Sequence, residues 1–185
     1  NLYLTWDERF LYLAVDGVQK DGNNLVVYFD VSPSSGINDA SKLKDPNNPS
    51  ALWWWRRYNR FSVGFNADFQ WHLYEMRLNT DEGHGLFRLN SDYTTIKLNS
   101  QVKQKSFGGG TGKLGSAEVR IPWQVLFDTP EFPSGKELKL VVCMTGGMDT
   151  KGTIDESDDE FGSAHDTIPN QQQKFTDKWS DPFTI

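Results

Sequence analysis

Cysteine is nearly absent from the sequence: Cys143 is the only one among 185 residues. A single thiol excludes an intramolecular disulfide and a metal cluster held by several thiolates. Because Cys143 lies in an apolar segment, we expect its side chain to be buried and inert. Long apolar runs are absent as well, and without about 18 consecutive apolar residues no membrane insertion is expected. A chain of this length buries about two-thirds of its unfolded surface, so it is expected to fold without disulfides.

Basic residues are outnumbered by acidic ones, 19 against 25, and the net charge is −6. Proteins that bind nucleic acid need a basic surface that displaces counterions from the phosphates. Nucleic acid is therefore not an expected partner. Aromatic residues, by contrast, make up 14 % of the chain and include seven tryptophans. This abundance excludes an intrinsically disordered chain.

Alternation of apolar and polar residues with a period of two dominates the sequence and is typical of β-strands. Turn-forming residues such as Asp21-Gly22 separate the alternating segments. Core strands are predicted at 10–16, 24–31, 61–65, 116–121 and 138–145, further strands at 70–78, 84–90 and 93–98, and one helical turn or two at 122–127. Segment 24–31 is apolar on both faces, which is typical of a central strand. The predicted fold class is all-β: an antiparallel two-sheet β-sandwich with long irregular loops.

Two long segments, 32–50 and 146–180, lack a regular pattern, and loops of such length are usually functional or held by other parts of a protein. The glycine-rich segment 107–114 lacks the spacing of a phosphate-binding loop, so a hairpin connection is predicted there. We expect residues 1–185 to form a single domain. Because a strand pattern begins at Asn1, we also expect it to be part of a longer polypeptide, with neighbouring domains as partners.

The most unusual motif is a run of aromatic and basic residues, namely Trp53, Trp54, Trp55, Arg56, Arg57 and Tyr58, with Trp71 following. In a strand, either Trp54 alone or Trp53 and Trp55 together must point away from the core. Exposed aromatic rings stack on the apolar faces of sugars, and neighbouring polar side chains bind the hydroxyl groups. The motif therefore predicts a carbohydrate platform. The alternative is that these tryptophans cover a second layer or contact a neighbouring domain.

A second motif is the acidic segment 149–166, in which closely spaced carboxylates provide the oxygen ligands that Ca²⁺ prefers. The predicted calcium ligands are Asp30, Asp149, Asp155, Asp158, Asp159 and Asp166. Among these, Asp155, Asp158 and Asp166 rank first, and Asp30 is the expected contribution from the sandwich. The segment is not an EF-hand, because Glu160 stands where that loop requires glycine. The alternative is a solvated acidic loop without a metal ion.

Several segments resemble a known group of proteins. Segments 4–15 (LTWDERFLYLAV) and 24–30 (NLVVYFD) resemble the opening strands of family 9 carbohydrate-binding modules and their DOMON-like relatives. Segment 115–123 (GSAEVRIPW) is similar to a strand that runs into a helical turn in that group, and 157–162 (SDDEFG) is similar to an acidic stretch in the C-terminal domains of glucodextranase and amylopullulanases. The resemblance implies a β-sandwich, structural calcium and a sugar held by aromatic residues. It also implies a non-catalytic module of a bacterial or archaeal polysaccharide-active enzyme or cell-surface protein, secreted or at the cell surface.

Two other functions stay open. One is a structural β-domain that packs against a catalytic partner. The other, implied by the same resemblance, is a haem-binding DOMON-type domain whose iron would be held by one methionine and one histidine, from Met76, Met144 and Met148 and from His72, His84 and His165. A carboxylate pair for glycoside hydrolysis, for instance Glu75 and Glu118, gains no support from the sequence. No enzymatic activity is expected.

Overall fold

The computed structural model describes residues 1–19, 24–31, 35–53, 56, 59–61, 64–74, 84–107, 114–145, 164–168, 178–179 and 183–184. The strands are β1 Leu2–Trp6, β2 Phe10–Gln19, β3 Asn24–Asp30, β4 Arg60–Phe61, β5 Phe69–Tyr74, β6 Gly85–Leu89, β7 Thr95–Lys97, β8 Lys103–Phe107, β9 Leu114–Pro122, β10 Lys139–Thr145, β11 Ala164–Ile168, β12 Lys178–Trp179 and β13 Phe183–Thr184. The helices are α1 Trp123–Phe127 and two 3₁₀ turns, Ala40–Lys42 and Asn99–Gln101.

All strands but β4 and β12 form two antiparallel sheets that pack face to face, as the sequence predicted. Strands β4 and β12 pair with each other in parallel. The small sheet has the order β1-β2-β9-β8, and the large sheet has the order β11-β10-β3-β5-β6-β7, with β13 also paired to β10. Strand β3 lies between β10 and β5, which confirms the central position predicted from its two apolar faces. Of the strand predicted at 61–65, Phe61 belongs to β4, whereas the backbone at Gly64 is not extended, with φ at +99°. Residues 62 and 63 lie outside the described residues.

The main core lies between the two sheets. Alternate residues of β2 and β9 face alternate residues of β3, β5 and β10, and the buried set includes Leu11, Leu13, Val27, Phe29, Trp71, Val119, Ile121, Leu140 and Val142. The ring of Trp71 also joins the sheets by a polar contact, because its Nε1 donates to Oε1 of Gln104 at 3.1 Å. Period-two alternation thus produces the core that it predicts.

A second core covers the outer face of the large sheet. We name the described residues between Ser35 and Ala67 the cover segment. Its apolar side chains pack on outward-facing residues of β3, β6 and β10, in a cluster that includes Val26, Tyr28, Ile37, Leu43, Trp53, Phe61, Phe65, Phe87 and Cys143. The cover segment explains why β3 is apolar on both faces, since each face meets a separate core.

Polar contacts and close backbone approaches hold the cover segment in place. Asp68 accepts a hydrogen bond from the backbone N–H of Val31 at 2.9 Å and from Oγ of Ser35 at 2.5 Å. Ile37 and Ala67 form two backbone hydrogen bonds with each other. A Cβ atom at Gly36 would lie 2.5 Å from the backbone of Ala67, so this approach requires glycine. The described part of the irregular segment, 35–50, is therefore held in place by these contacts.

Where the structure describes the chain, it contains no helix with the length and apolar character to cross a membrane.

Candidate functional site

Two residues of the predicted carbohydrate platform, Trp53 and Trp71, are buried. Both side chains have 0 % of their surface exposed. The ring of Trp53 packs 4.8 Å from that of Phe87 and 6.1 Å from that of His72, beneath the cover segment, and Trp71 lies between the sheets. Neither ring has a free face for a sugar. Trp53 and Trp71 are therefore not available for stacking on a sugar, because long-range packing encloses both rings.

Of the other residues in the run from Trp53 to Tyr58, the structure describes only Arg56. Arg56 is buried, and its Nη1 donates to the backbone oxygen of Trp53 at 3.1 Å, so the guanidinium group stabilises a local turn. The inward orientation of Trp53 excludes the arrangement in which Trp53 and Trp55 point outward together. The remaining members of the motif lie outside the described residues: Trp54, Trp55, Arg57 and Tyr58.

The outer face of the small sheet carries a groove with a volume of about 790 Å³. Eight residues of its lining have side chains that point away from the main core, and they form two rows across the four strands. One row is Thr5, Tyr12, Arg120 and Lys103, and the other is Tyr3, Ala14, Glu118 and Lys105. Ala14 has the smallest side chain of its row and leaves a depression between Tyr3 and Glu118. The groove is therefore built on strands, which hold side chains more rigidly than loops do.

Two tyrosines form one side of the groove. Tyr3 lies on the edge strand β1 and is 55 % exposed. The hydroxyl of Tyr12 donates to Oδ2 of Asp7 at 2.7 Å, which orients the Tyr12 ring. This hydrogen bond, with help from the backbone N–H of Arg9, holds the pKa of Asp7 below its usual value, and the same bond raises the pKa of Tyr12. At neutral pH the pair is thus a neutral phenol bound to a carboxylate.

Three cations form the opposite side. We name Lys103, Lys105 and Arg120 the basic wall. The Arg120 guanidinium lies 4.5 Å from the ring centroid of Phe10, and Nζ of Lys105 lies 4.7 Å from that of Phe107. The groove as a whole combines aromatic faces, hydrogen-bond donors and one carboxylate, that of Glu118.

A smaller apolar pocket of about 250 Å³ lies at one edge of the sandwich. Trp6 and Phe132 form its exposed part, at 47 % and 46 % exposure, and their rings are stacked with centroids 6.4 Å apart. Trp123 packs edge-on against Phe132 at 5.6 Å, and its Nε1 donates to the backbone oxygen of Asp7. An exposed aromatic surface of this kind is suited to a small apolar ligand or to a protein surface.

Neither the groove nor the pocket was predicted from the sequence. A signal for the groove was present in β2, where Phe10, Tyr12 and Ala14 alternate with the core residues Leu11, Leu13 and Val15. This alternation places aromatic residues on the face opposite the core. The partner strands that complete the groove, β8 and β9, follow about a hundred residues later in the chain. Their proximity depends on strand order and could not be inferred from β2.

The structure excludes one combination of the predicted calcium ligands, namely Asp30 together with Asp166. Asp30 is buried, and its Oδ2 accepts from the backbone N–H of Asn66 at 3.2 Å. Asp30 pairs with Lys139, whereas Asp166 pairs with Met144, five residues further along β10. At about 3.4 Å per residue the two positions are about 17 Å apart along the strand, too far for both to bind one Ca²⁺ ion. The backbone of Asp166 belongs to β11, but Asp149, Asp155, Asp158 and Asp159 lie outside the described residues.

No group of three His, Cys, Asp or Glu side chains suited to a metal ion occurs within the part of the chain that the structure describes. One haem ligand pair is also excluded by the geometry. His72 contacts Trp53 on the outer face of the large sheet, whereas Met144 packs against the main core on the inner face. These two side chains cannot bind the same iron. Met76 and Met148 lie outside the described residues.

Two further predictions concern residues without a functional role. Cys143 is buried, with the side-chain amide of Asn59 3.5 Å from its Sγ, which confirms the expected packing role. Segment 107–114 joins β8 to β9, and these strands pair antiparallel with Phe107 opposite Ser116, which confirms the predicted hairpin connection.

Compared with protein-family models, with curated proteins and with solved structures, the chain shows no match.

Proposed function

We propose that the protein is a non-catalytic carbohydrate-binding module that binds a poly- or oligosaccharide in the groove of the small sheet. The observation that supports this proposal is the groove itself, in which Tyr3 and Tyr12 face a row of charged side chains on rigid strands. Aromatic rings cover the apolar faces of a sugar, and charged groups bind its hydroxyls. The volume of about 790 Å³ is within the range typical of ligand sites. The site is thereby assigned to the groove and not to Trp53 and Trp71.

The module acts by targeting, and it attaches a neighbouring enzyme or cell-surface protein to a glycan. The sequence resemblance to family 9 modules supports this role and a secreted or cell-surface location in a bacterium or an archaeon. Because an open groove leaves part of each sugar in water, the dissociation constant is expected on the order of 10⁻³ to 10⁻⁶ M.

Titration calorimetry against a panel of soluble glucans, xylans, galactans and uronate polymers tests the proposal. In Tyr3→Ala the affinity is expected to fall about tenfold, or 1.4 kcal/mol, with the melting temperature unchanged because the ring is exposed. Tyr3→Phe keeps the ring and should keep most of the affinity. Phe132→Ala removes an exposed ring of the apolar pocket and serves as the matched control. The absence of binding to any glycan would exclude the function. A loss of affinity in Phe132→Ala but not in Tyr3→Ala would place the binding site in the apolar pocket instead of the groove.

We also propose that the acidic segment 149–166 binds a structural Ca²⁺ ion. Carboxylates at close range repel one another by up to about 1 kcal/mol per pair even in water, and a cation removes that repulsion. A ligand at a hundredfold excess over its dissociation constant stabilises the folded state by about 2.7 kcal/mol. The domain should therefore melt several degrees higher in about 1 mM Ca²⁺ than in EDTA.

The variant Asp158→Ala should abolish this difference between the two buffers. Asp45→Asn is the matched control: Asp45 is not a predicted ligand, and its carboxylate accepts from the backbone N–H groups of Asn47 and Asn48, so the substitution should change both melting temperatures equally. Coincident melting curves of the unmodified protein in Ca²⁺ and EDTA would show that the acidic segment is only solvated.

A second candidate function is packing against a neighbouring domain of the same polypeptide, and the exposed pair Trp6 and Phe132 favours it. Sedimentation of the isolated chain tests this candidate. Self-association that Trp6→Ala abolishes and that no glycan reverses would support it. A monomer at all concentrations, combined with glycan binding, would favour the first proposal.

A further inference from the structure

We infer that the glycan bound in the groove is anionic, a polymer whose sugars carry carboxylates, as uronic acids do. This inference rests on the proposed function and specifies its ligand. The evidence is the arrangement of the basic wall on the outer face of β8 and β9. Lys103 pairs directly with Arg120 across the two strands, and Lys105 follows on the same face.

The pairing of Lys103 with Arg120 is unfavourable without a ligand. Like charges directly opposite each other on neighbouring strands destabilise a sheet. Among the residues that the structure describes, neither Lys103 nor Lys105 has a carboxylate within 4.0 Å. Glu118 is the cross-strand partner of Lys105, but no ion pair joins them. An anion between these side chains would remove the repulsion.

The positive charge of the basic wall contrasts with the negative net charge of the whole chain. The protein has a net charge of −6, and on average it repels a polyanion. Local charge of the opposite sign is what allows an acidic protein to attract and orient such a ligand. Around the groove the three cations of the basic wall face two carboxylates, that of Glu118 and that of Asp7, which is bound to Tyr12. One positive charge is left in excess, so the local sign is opposite to that of the chain.

The two sides of the groove also fit a uronic acid sterically. Tyr12 on β2 and Lys103 on β8 are separated by two strand spacings, about 10 Å. A sugar ring can therefore lie against the tyrosines while its carboxylate reaches the basic wall. The Arg120 guanidinium can bind a carboxylate through two parallel hydrogen bonds. Glu118 lies between the two sides and is placed to accept from a sugar hydroxyl.

Matched ligands test the inference. Oligomers of galacturonate, of mannuronate and of glucuronate-substituted xylan are titrated beside their methyl-esterified forms, which have the same skeleton without charge. At low ionic strength at least one free acid should bind about tenfold more tightly than its ester. The preference should fall below about threefold in 0.5 M NaCl, where the Debye length is about 4 Å. In the double variant Lys103→Gln/Lys105→Gln the preference should also fall below about threefold, because the free acid loses more affinity than the ester does.

Lys97→Gln, an exposed lysine of the large sheet, is the matched control and should keep the full preference. Equal or tighter binding of the esters would overturn the inference and leave the proposed function intact. A preference for the acids that the double variant does not reduce would also overturn it, because the cations responsible would lie elsewhere. Binding of neither form, together with silence on neutral glycans, would exclude the proposed function itself.

Discussion

The two outer faces of the sandwich differ in exposure: the cover segment buries that of the large sheet, whereas that of the small sheet is open to solvent. On the large sheet, outward-facing Val26, Tyr28 and Phe87 are buried beneath the cover segment. On the small sheet, outward-facing Tyr3, Glu118 and Lys105 remain exposed and line a groove. Both faces come from the same strand alternation, but one is apolar and the other is charged and aromatic. The difference shows that the composition of an outward face decides whether the chain itself or a ligand covers it.

The largest expected effect tests the covered face. Trp53→Ala removes a buried ring that packs on Phe87 and His72, and it should lower the free energy of unfolding by about 3–5 kcal/mol. Trp6→Ala, at an exposed position, should cost about 1 kcal/mol or less. Urea denaturation followed by far-ultraviolet circular dichroism measures both variants. If Trp53→Ala kept its stability and lost glycan affinity, the outer face of the large sheet, and not that of the small sheet, would be the glycan-binding face.

An intermediate effect is expected where the cover segment is anchored. Asp39 accepts hydrogen bonds from N and Oγ of Ser41, and it forms ion pairs with Lys42 at 3.4 Å and Arg60 at 3.5 Å. Asp39→Ala should therefore cost about 1–2 kcal/mol. Hydrogen exchange should accelerate in the cover segment while β2 and β9 stay protected.

Asp45→Ala is the control for this anchor, because Asp45 accepts only from the backbone of an exposed turn. Its effect should be about 0.5 kcal/mol. Equal acceleration of exchange across both sheets in Asp39→Ala would mean that the cover segment and the main core unfold as one unit.

The smallest effect concerns the open face. Tyr12→Phe removes the main cause of the lowered pKa of Asp7, so that pKa should rise toward its ordinary value. The contribution of Asp7 to stability is present above the ordinary Asp pKa of about 3.9 and is lost as the pH falls through the lowered value. The raised pKa of Tyr12 has the opposite sign: its contribution is present below about pH 10 and is lost as the pH rises through the raised value.

An NMR titration of the side-chain carboxyl carbons measures this change. Asp92, whose pKa is lowered by hydrogen bonds from Thr94, is the internal control and should titrate as before. An unchanged Asp7 titration in Tyr12→Phe would show that the hydrogen bond does not orient Tyr12 in solution, and the aromatic side of the groove would then be less rigid than described.

The sequence predicted most of the framework because strand patterns are local. The alternation in β2 and β9 and the double apolar character of β3 each depend on a few neighbouring residues. The candidate site was predicted less well. Trp53 and Trp71 were correctly singled out as unusual, but their exposure depends on partners such as Phe87 and Gln104, which lie more than thirty residues away.

By itself, then, the sequence determined the fold class, because alternation and turn residues specify strands without reference to distant parts of the chain. It also determined that one strand lies between two apolar layers. Only the tertiary structure decided what those layers are. Residues 35–50 of the cover segment have no periodic pattern, so the packing of this segment on the large sheet follows from shape and from contacts such as the ring of Trp53 with that of Phe87. Strand order likewise brought Tyr3 and Tyr12 to Lys103 and Arg120, because only the pairing of β1, β2, β9 and β8 places these residues in one groove.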